Sequence, residues 1–188
     1  MNIFFLSTIL MNMVKFHCDQ HCIKMILEST QLLWTAWHVT GQIPTNLNVK
    51  VYKQTHTNHP MAIWARSSKE NYKFLVKFAI NLAKEYDRRY RCKCRIKQYA
   101  CKKCPRKTHA CMDGLMWLER NVPRCDSRNE YKADQVFATT KLPESCTKVP
   151  LCMPEQYHSR NLVKAYRDYY RNDKGFAKSK YRTPEWYN

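Results

Sequence analysis

FHCDQHCIKMILESTQLLWTAWH, residues 16–38, is apolar nearly all the way round a helix except along one narrow polar line. At about 100° per residue, His17, His21, Lys24, Glu28, Gln31, Thr35 and His38 fall roughly 60° or less to either side of that line. Phe16, Cys18, Cys22, Ile23, Met25, Ile26, Leu27, Leu32, Leu33, Trp34, Ala36 and Trp37 occupy the rest of the circumference. A solvated helix face is broad and rich in Lys and Glu. This stripe is thin and made of groups that titrate or hydrogen-bond. It reads either as the wall of a pocket or as the exposed face of a helix that is unusually apolar elsewhere. In a pocket, Glu28 and His21 would have shifted proton affinities and could move protons.

Three glycines in 188 residues leave little room for glycine-rich phosphate loops or for a turn-rich β-sandwich. The fold class expected is mainly α: a single compact helical domain over residues 1–188, carrying an irregular Cys-rich basic insertion at 91–111. The first helix should run from near Ser7 to Thr40, broken somewhere inside, and stop at Gly41 and Pro44. Residues 41–60 read as a loop in which Pro60 holds His59 extended. Ser67 and Glu70 have capping-box spacing ahead of a helix to Tyr90. That helix would bury Tyr72, Leu75, Val76, Ala79, Leu82, Ala83 and Tyr86. A third helix is expected over 109–120, prolines punctuate a loop at 121–154, and a last helix should cover about 155–172. Residues 1–14 read as an extended MNIFFL segment entering the first helix. The run lacks a preceding positive charge and a small-residue cleavage site, and it is too short to span a bilayer.

Lys and Arg number 33 against 15 Asp and Glu, a net charge of +18. An excess of that size implies a polyanionic partner. Nucleic acid, DNA above all, is favoured over a membrane because the cations are interleaved with aromatics on which bases can stack. The stretch from Arg160 to Tyr187 shows that mixture most densely. It serves equally well as a groove, with Tyr166, Arg167 and Trp186 among its contacts, or as a stretch in which Tyr166, Tyr170 and Trp186 are core anchors and only the cations face solvent. With no export signal read, the ten cysteines are expected reduced in an intracellular setting.

Residues 91–111, RCKCRIKQYACKKCPRKTHAC, concentrate Cys92, Cys94, Cys101, Cys104 and Cys111 with His109 among eight cations. Two sulfurs of a CxxC pair converge on one ion across a tight turn, and Cys101 and Cys104 form such a pair. A structural zinc knuckle is one reading. Reduced thiols in a basic loop, or a redox role, are the others. A catalytic metal held by His17, His21 and a loop histidine is a further alternative, although no helical HExxH pattern supports it.

The order His17-Cys-Asp19-Gln-His21-Cys-Ile-Lys24-Met-Ile-Leu-Glu28, Thr55-His56-Thr-Asn58-His59-Pro60, Trp64-Ala-Arg66, Asn71-Tyr72, Glu85-Tyr86, Arg89-Tyr90, Ala165-Tyr166-Arg167 and Pro184-Glu-Trp186 resembles a family of small uncharacterised proteins of bacteriophages and large DNA viruses. More remotely, the layout is similar to the pyrimidine-dimer DNA glycosylases of the endonuclease V type. That resemblance implies an all-helical DNA-repair enzyme in which the N-terminal α-amine forms a Schiff base at the sugar, assisted by a glutamate on the first long helix. Carried over, Glu28 matches the glutamate, and His59 with Pro60 matches the segment after it. The chain begins Met1-Asn2, and Asn2 is too large for usual removal of the initiator methionine, so the amine would be that of Met1. This departs from the family's pattern.

Two functional classes follow. In the first, Glu28, His21, His17 and His59 form a catalytic pocket, while Lys24, Gln31, His56, Arg66, Asn71, Tyr72, Arg89, Tyr166, Arg167 and Trp186 bind nucleic acid, and the substrate base is extruded from its stack. In the second, the protein is a non-catalytic, genome-associated basic nucleic-acid-binding protein. Either would work in the cytoplasm or nucleus of a host cell, or in a virion.

Overall fold

The computed structural model describes residues 1–41, 43–90, 108–125, 131–140, 142, 146–174 and 183–187. Cys92, Cys94, Cys101 and Cys104, and with them most of the expected insertion, lie outside the described residues. The architecture is mainly α, as the glycine-poor composition implies. Its helices are α1 (Leu10–Lys15), α2 (Asp19–Thr40), α3 (Pro60–Ser67), α4 (Lys69–Tyr90), α5 (Met112–Arg120) and α6 (Leu162–Tyr169). Among the described residues there is no sheet, and Phe137 and Pro150 make an isolated antiparallel bridge. No described helix is long and apolar enough to cross a membrane.

The expected break in the first helical stretch falls at Phe16–Cys18. Cys18 is extended (φ −63°, ψ 164°) and starts α2. The carbonyls stranded at the end of α1 are taken by Arg89 of α4, which donates to Lys15 O at 3.0 Å and His17 O at 2.8 Å. Capping them this way satisfies groups that burial would otherwise penalise. At its other end α2 stops where expected, at Gly41, whose left-handed φ of 66° is costly for any residue with a Cβ.

α2 and α4 form the central pair, with α3 against both, α1 against α4, and α5 against α4 and α2. The α4 face expected from periodicity is buried, with Tyr86 half-buried. Its cap is shifted by one residue: Ser68, not Ser67, accepts from the Asn71 amide at 3.1 Å. Ser67 instead donates back to the Trp64 carbonyl of α3. The N-terminal segment enters the core outright, since Ile3, Phe4, Phe5 and Leu6 are buried. Phe5 packs on Trp64, Phe74 and Tyr166. Burial of this kind contributes about 1.5–3 kcal/mol per side chain, enough to fix the first residues of the chain against α2.

Two helices are shorter than periodicity suggests. α5 starts at Met112 because the His109 ring accepts the Cys111 amide in a preceding turn. The last helix does not run from 155 to 172. A 3₁₀ turn covers Glu155–Tyr157, the Arg160 carbonyl accepts from the Thr139 and Thr140 amides, and only then does Asn161 cap α6. A π turn at Tyr170–Lys174 follows α6.

Candidate active site

One end of the α2 stripe opens on a cavity of about 320 Å³. Four parts of the chain line it: Met1, Asn2 and Phe4; His21, Lys24, Met25 and Glu28 of α2; His59 at the start of α3; and Cys152, Tyr169 and Lys174. Three of the four residues read as catalytic from the sequence therefore converge. His17 does not. It lies in the core, 1% exposed, among the rings of Phe4, Phe78 and Tyr170, and is not among the lining residues. Its Nδ1 donates to Met13 O at 2.7 Å, and burial pushes its proton affinity down to about 3.

Asn2 fixes the start of the chain in the cavity wall. Its Nδ2 donates to the Cys152 carbonyl at 2.7 Å, while its Oδ1 accepts from the Ile3 amide at 2.8 Å and the Tyr166 hydroxyl at 3.0 Å. The Asn2 amide donates to Glu28 Oε2 at 3.3 Å. On its other oxygen, Glu28 meets Lys24 Nζ at 3.5 Å. Among the described lining residues Glu28 shares the cavity with the cations Lys24 and Lys174, and its side chain is 14% exposed.

Both cavity histidines are held neutral. Burial, then Lys174 and Lys24, push His21 down to about 4. For His59 burial is again the first cause, followed by the positive Met1 amine and His56, and the result is also about 4. His59 caps α3, its Nδ1 accepting from the Met61 amide at 3.1 Å, so the ring proton sits on Nε2. The Cys152 thiol is pushed up to about 12, by burial first. It is therefore no thiolate nucleophile at neutral pH.

Most residues read from the sequence as nucleic-acid contacts are internal ties. Arg66 is buried and donates to Thr57 O at 2.8 Å. Asn71 is buried and holds both the amide and the hydroxyl of Thr147. The hydroxyl of buried Tyr72 accepts from Trp37 Nε1 at 2.9 Å. Arg89 is buried against Glu85 and Asp19 at 2.8 and 3.3 Å. Burial alone would raise the Glu85 carboxyl, but the guanidiniums of Arg88 and Arg89 outweigh it and hold it below its ordinary range. Tyr166 is the buried partner of Asn2. Arg167 donates to Leu6 O at 2.9 Å and lies over the half-buried Trp186 ring. His56, exposed and at φ 49°, bonds Thr55 Oγ1 and is not among the lining residues; neither is half-buried Gln31. Lys24 alone of that set reaches the cavity.

Sequence reasoning missed Asn2, Phe4, Met25, Cys152, Tyr169 and Lys174 as cavity residues. The signal for Lys174 was faint: one cation among many in a basic C-terminal stretch. Of the expected metal ligands, His109 and Cys111 are described. Cys111 is buried with Tyr52 Oη 3.2 Å from its sulfur, and burial lowers His109 from its ordinary value. Among the described residues no three His, Cys, Asp or Glu side chains form a metal-binding group. No family model matches the chain, and neither a curated protein nor a solved structure does.

Proposed function

We propose that this is a DNA-processing enzyme of the glycosylase/AP-lyase kind, with Glu28 in its active cavity. The observation that carries the reading is the meeting of Glu28 with the pinned first residues of the chain, at 3.3 Å from the Asn2 amide, in a cavity walled also by His21 and His59. The resemblance to glycosylases of the endonuclease V type rests on the order of elements and a few residues, and this convergence supports it.

In the proposed reaction the Met1 α-amine, as the free base, attacks C1′ of the deoxyribose. The glycosidic bond breaks and the base leaves with the bonding electron pair. The nitrogen then loses a proton, the C1′–O4′ bond breaks with O4′ taking a proton to give an iminium, and removal of a C2′ proton lets β-elimination expel the 3′-phosphate. Glu28 stabilises the positive charge that develops on the sugar and accepts a proton. The mechanism needs Met1 to carry a free α-amine, so an acetylated or extended N-terminus should abolish it.

The test is incubation with duplexes carrying a pyrimidine dimer, an abasic site or no lesion, with borohydride present. A covalent DNA adduct mapped to Met1 is the expected result. No adduct, base release or strand cleavage on any substrate would leave the second reading, a basic nucleic-acid-binding protein without catalysis, which the +18 charge supports by itself. We also propose a structural zinc on the cysteines of residues 91–111. Native mass measurement should find about one zinc per chain, lost when Cys101 and Cys104 become serine, and a metal-free native chain would rule it out.

A further inference from the structure

His21 is held neutral in the cavity, and its Nδ1 is engaged by Tyr170. The Tyr170 hydroxyl accepts from the Cys18 amide at 3.0 Å and lies 2.7 Å from His21 Nδ1. It has one proton to give, and the Cys18 thiol beside it is a weak acceptor. The imidazole nitrogen takes that proton, so His21 carries its own on Nε2. Phe4 stacks on the ring at 4.8 Å and 17°, which fixes its plane. Among the described residues Nε2 has no partner. It is the ring nitrogen left for the cavity that His21 lines.

Around it are two ammoniums. Lys24 stands one turn along α2, and Lys174 enters from the π turn after α6. Lys24 is 61% exposed with Glu28 at 3.5 Å, and Lys174 rests over the Tyr169 ring at 5.0 Å. Glu28 is the carboxylate among these groups, and Tyr169 adds a hydroxyl.

We propose that His21, as a fixed neutral Nε2–H donor, acts with Lys24 and Lys174 as a phosphate subsite, holding the phosphodiester that flanks the nucleotide taken into the cavity. The assignment rests on the nucleic-acid reading above and revises the role of His21 from proton transfer to binding. A neutral donor between two cations hydrogen-bonds a phosphate oxygen without adding a third charge that would repel them. Burial first, and then the same two lysines, oppose protonation of the ring, so the donor stays in one state across the neutral range.

The test uses the full chain labelled with nitrogen-15, with the dinucleotide dTpdT, thymidine and inorganic phosphate as probes. Imidazole spectra should show His21 as the Nε2–H tautomer from pH 6 to 8. dTpdT should shift its Nε2 resonance, whereas thymidine should not. Lys24→Ala and Lys174→Ala, both at exposed positions, should each weaken dTpdT by about fivefold, the scale of one exposed ion pair. An Nδ1–H or protonated His21, no response to dTpdT, or unchanged affinity in both variants overturns the subsite. Inorganic phosphate binding as tightly as dTpdT overturns the phosphodiester as its ligand. A protein that binds dTpdT through His21 yet is inert on damaged duplexes keeps the subsite and loses the lyase reading.

Discussion

Around Thr35 and His38 the polar stripe of α2 is covered by residues 52–55, whereas around His21, Lys24 and Glu28 it faces a cavity. The covered end is satisfied by backbone. Thr35 Oγ1 donates to the Thr55 carbonyl at 3.1 Å and accepts its amide at 3.2 Å, and His38 Nε2 bonds the Tyr52 carbonyl at 2.8 Å. The open end meets side chains and a chain terminus instead, and Nε2 of His21 and of His59 are left without a partner among the described residues. One helical pattern thus serves two purposes. What separates them is the facing segment: an extended loop supplies complementary amides and carbonyls, while the pinned Met1-Asn2 segment leaves a void.

The hardest test of that division is Glu28→Gln. The substitution keeps shape and hydrogen bonding but removes the charge and the base. In the proposed enzyme, base release or strand cleavage should fall by about 10²-fold or more, with DNA affinity and melting temperature near those of the unaltered protein, because the loss falls on the transition state. If activity is unchanged and the melting temperature drops, Glu28 is a structural partner of Lys24 and the two ends of the stripe do not differ in kind.

Two histidines four residues apart sharpen the comparison. His17 gives its proton from Nδ1 to the Met13 carbonyl inside the core, and His21 meets the Tyr170 hydroxyl through Nδ1 at the cavity. For His17 the native value of about 3 lies below the ordinary 6.5. Below pH 6.5 the unfolded chain binds a proton that the native one refuses. Stability is therefore full above about pH 6.5 and is lost as pH falls toward 3, by up to about 1.4 kcal/mol per pH unit from this residue. His21 and His59, nearer solvent, act in the same direction down to about 4. His17→Phe suits a ring pocket and should flatten the denaturation slope between pH 6 and 4. An unchanged slope would mean that His17 titrates normally and is not sealed in the core.

The helices were legible because their signals are local. Gly41 stops α2, Pro60 opens α3, and the apolar period of α4 needs no knowledge of its partner. The convergence of Glu28, His21 and His59 was legible in part, since the narrowness of the stripe suggested a wall. The fate of Arg66, Asn71, Tyr72, Arg89 and Tyr166 was not. Each is of a type that grips nucleic acid, and each is spent on a distant backbone or side-chain group that only the folded chain brings near. Arg89 reaches the carbonyls of Lys15 and His17, over 70 residues away in sequence. Periodicity places a side chain on a face but does not say what stands opposite.

The smallest effect expected is at the covered end. Thr35→Val removes one hydroxyl and leaves the Thr55 amide and carbonyl without their partner, at a cost of about 1–2 kcal/mol. Valine matches threonine in shape, so packing among Trp34, Ala36 and the loop should survive. Because Thr35 is outside the cavity, the loss should appear in the denaturation midpoint and in faster amide exchange at Thr55, with DNA affinity and any cleavage activity unaltered. A Thr35→Val protein that kept its stability but lost DNA binding would place the nucleic-acid surface over residues 52–55, and the covered end of α2 would then be the functional one.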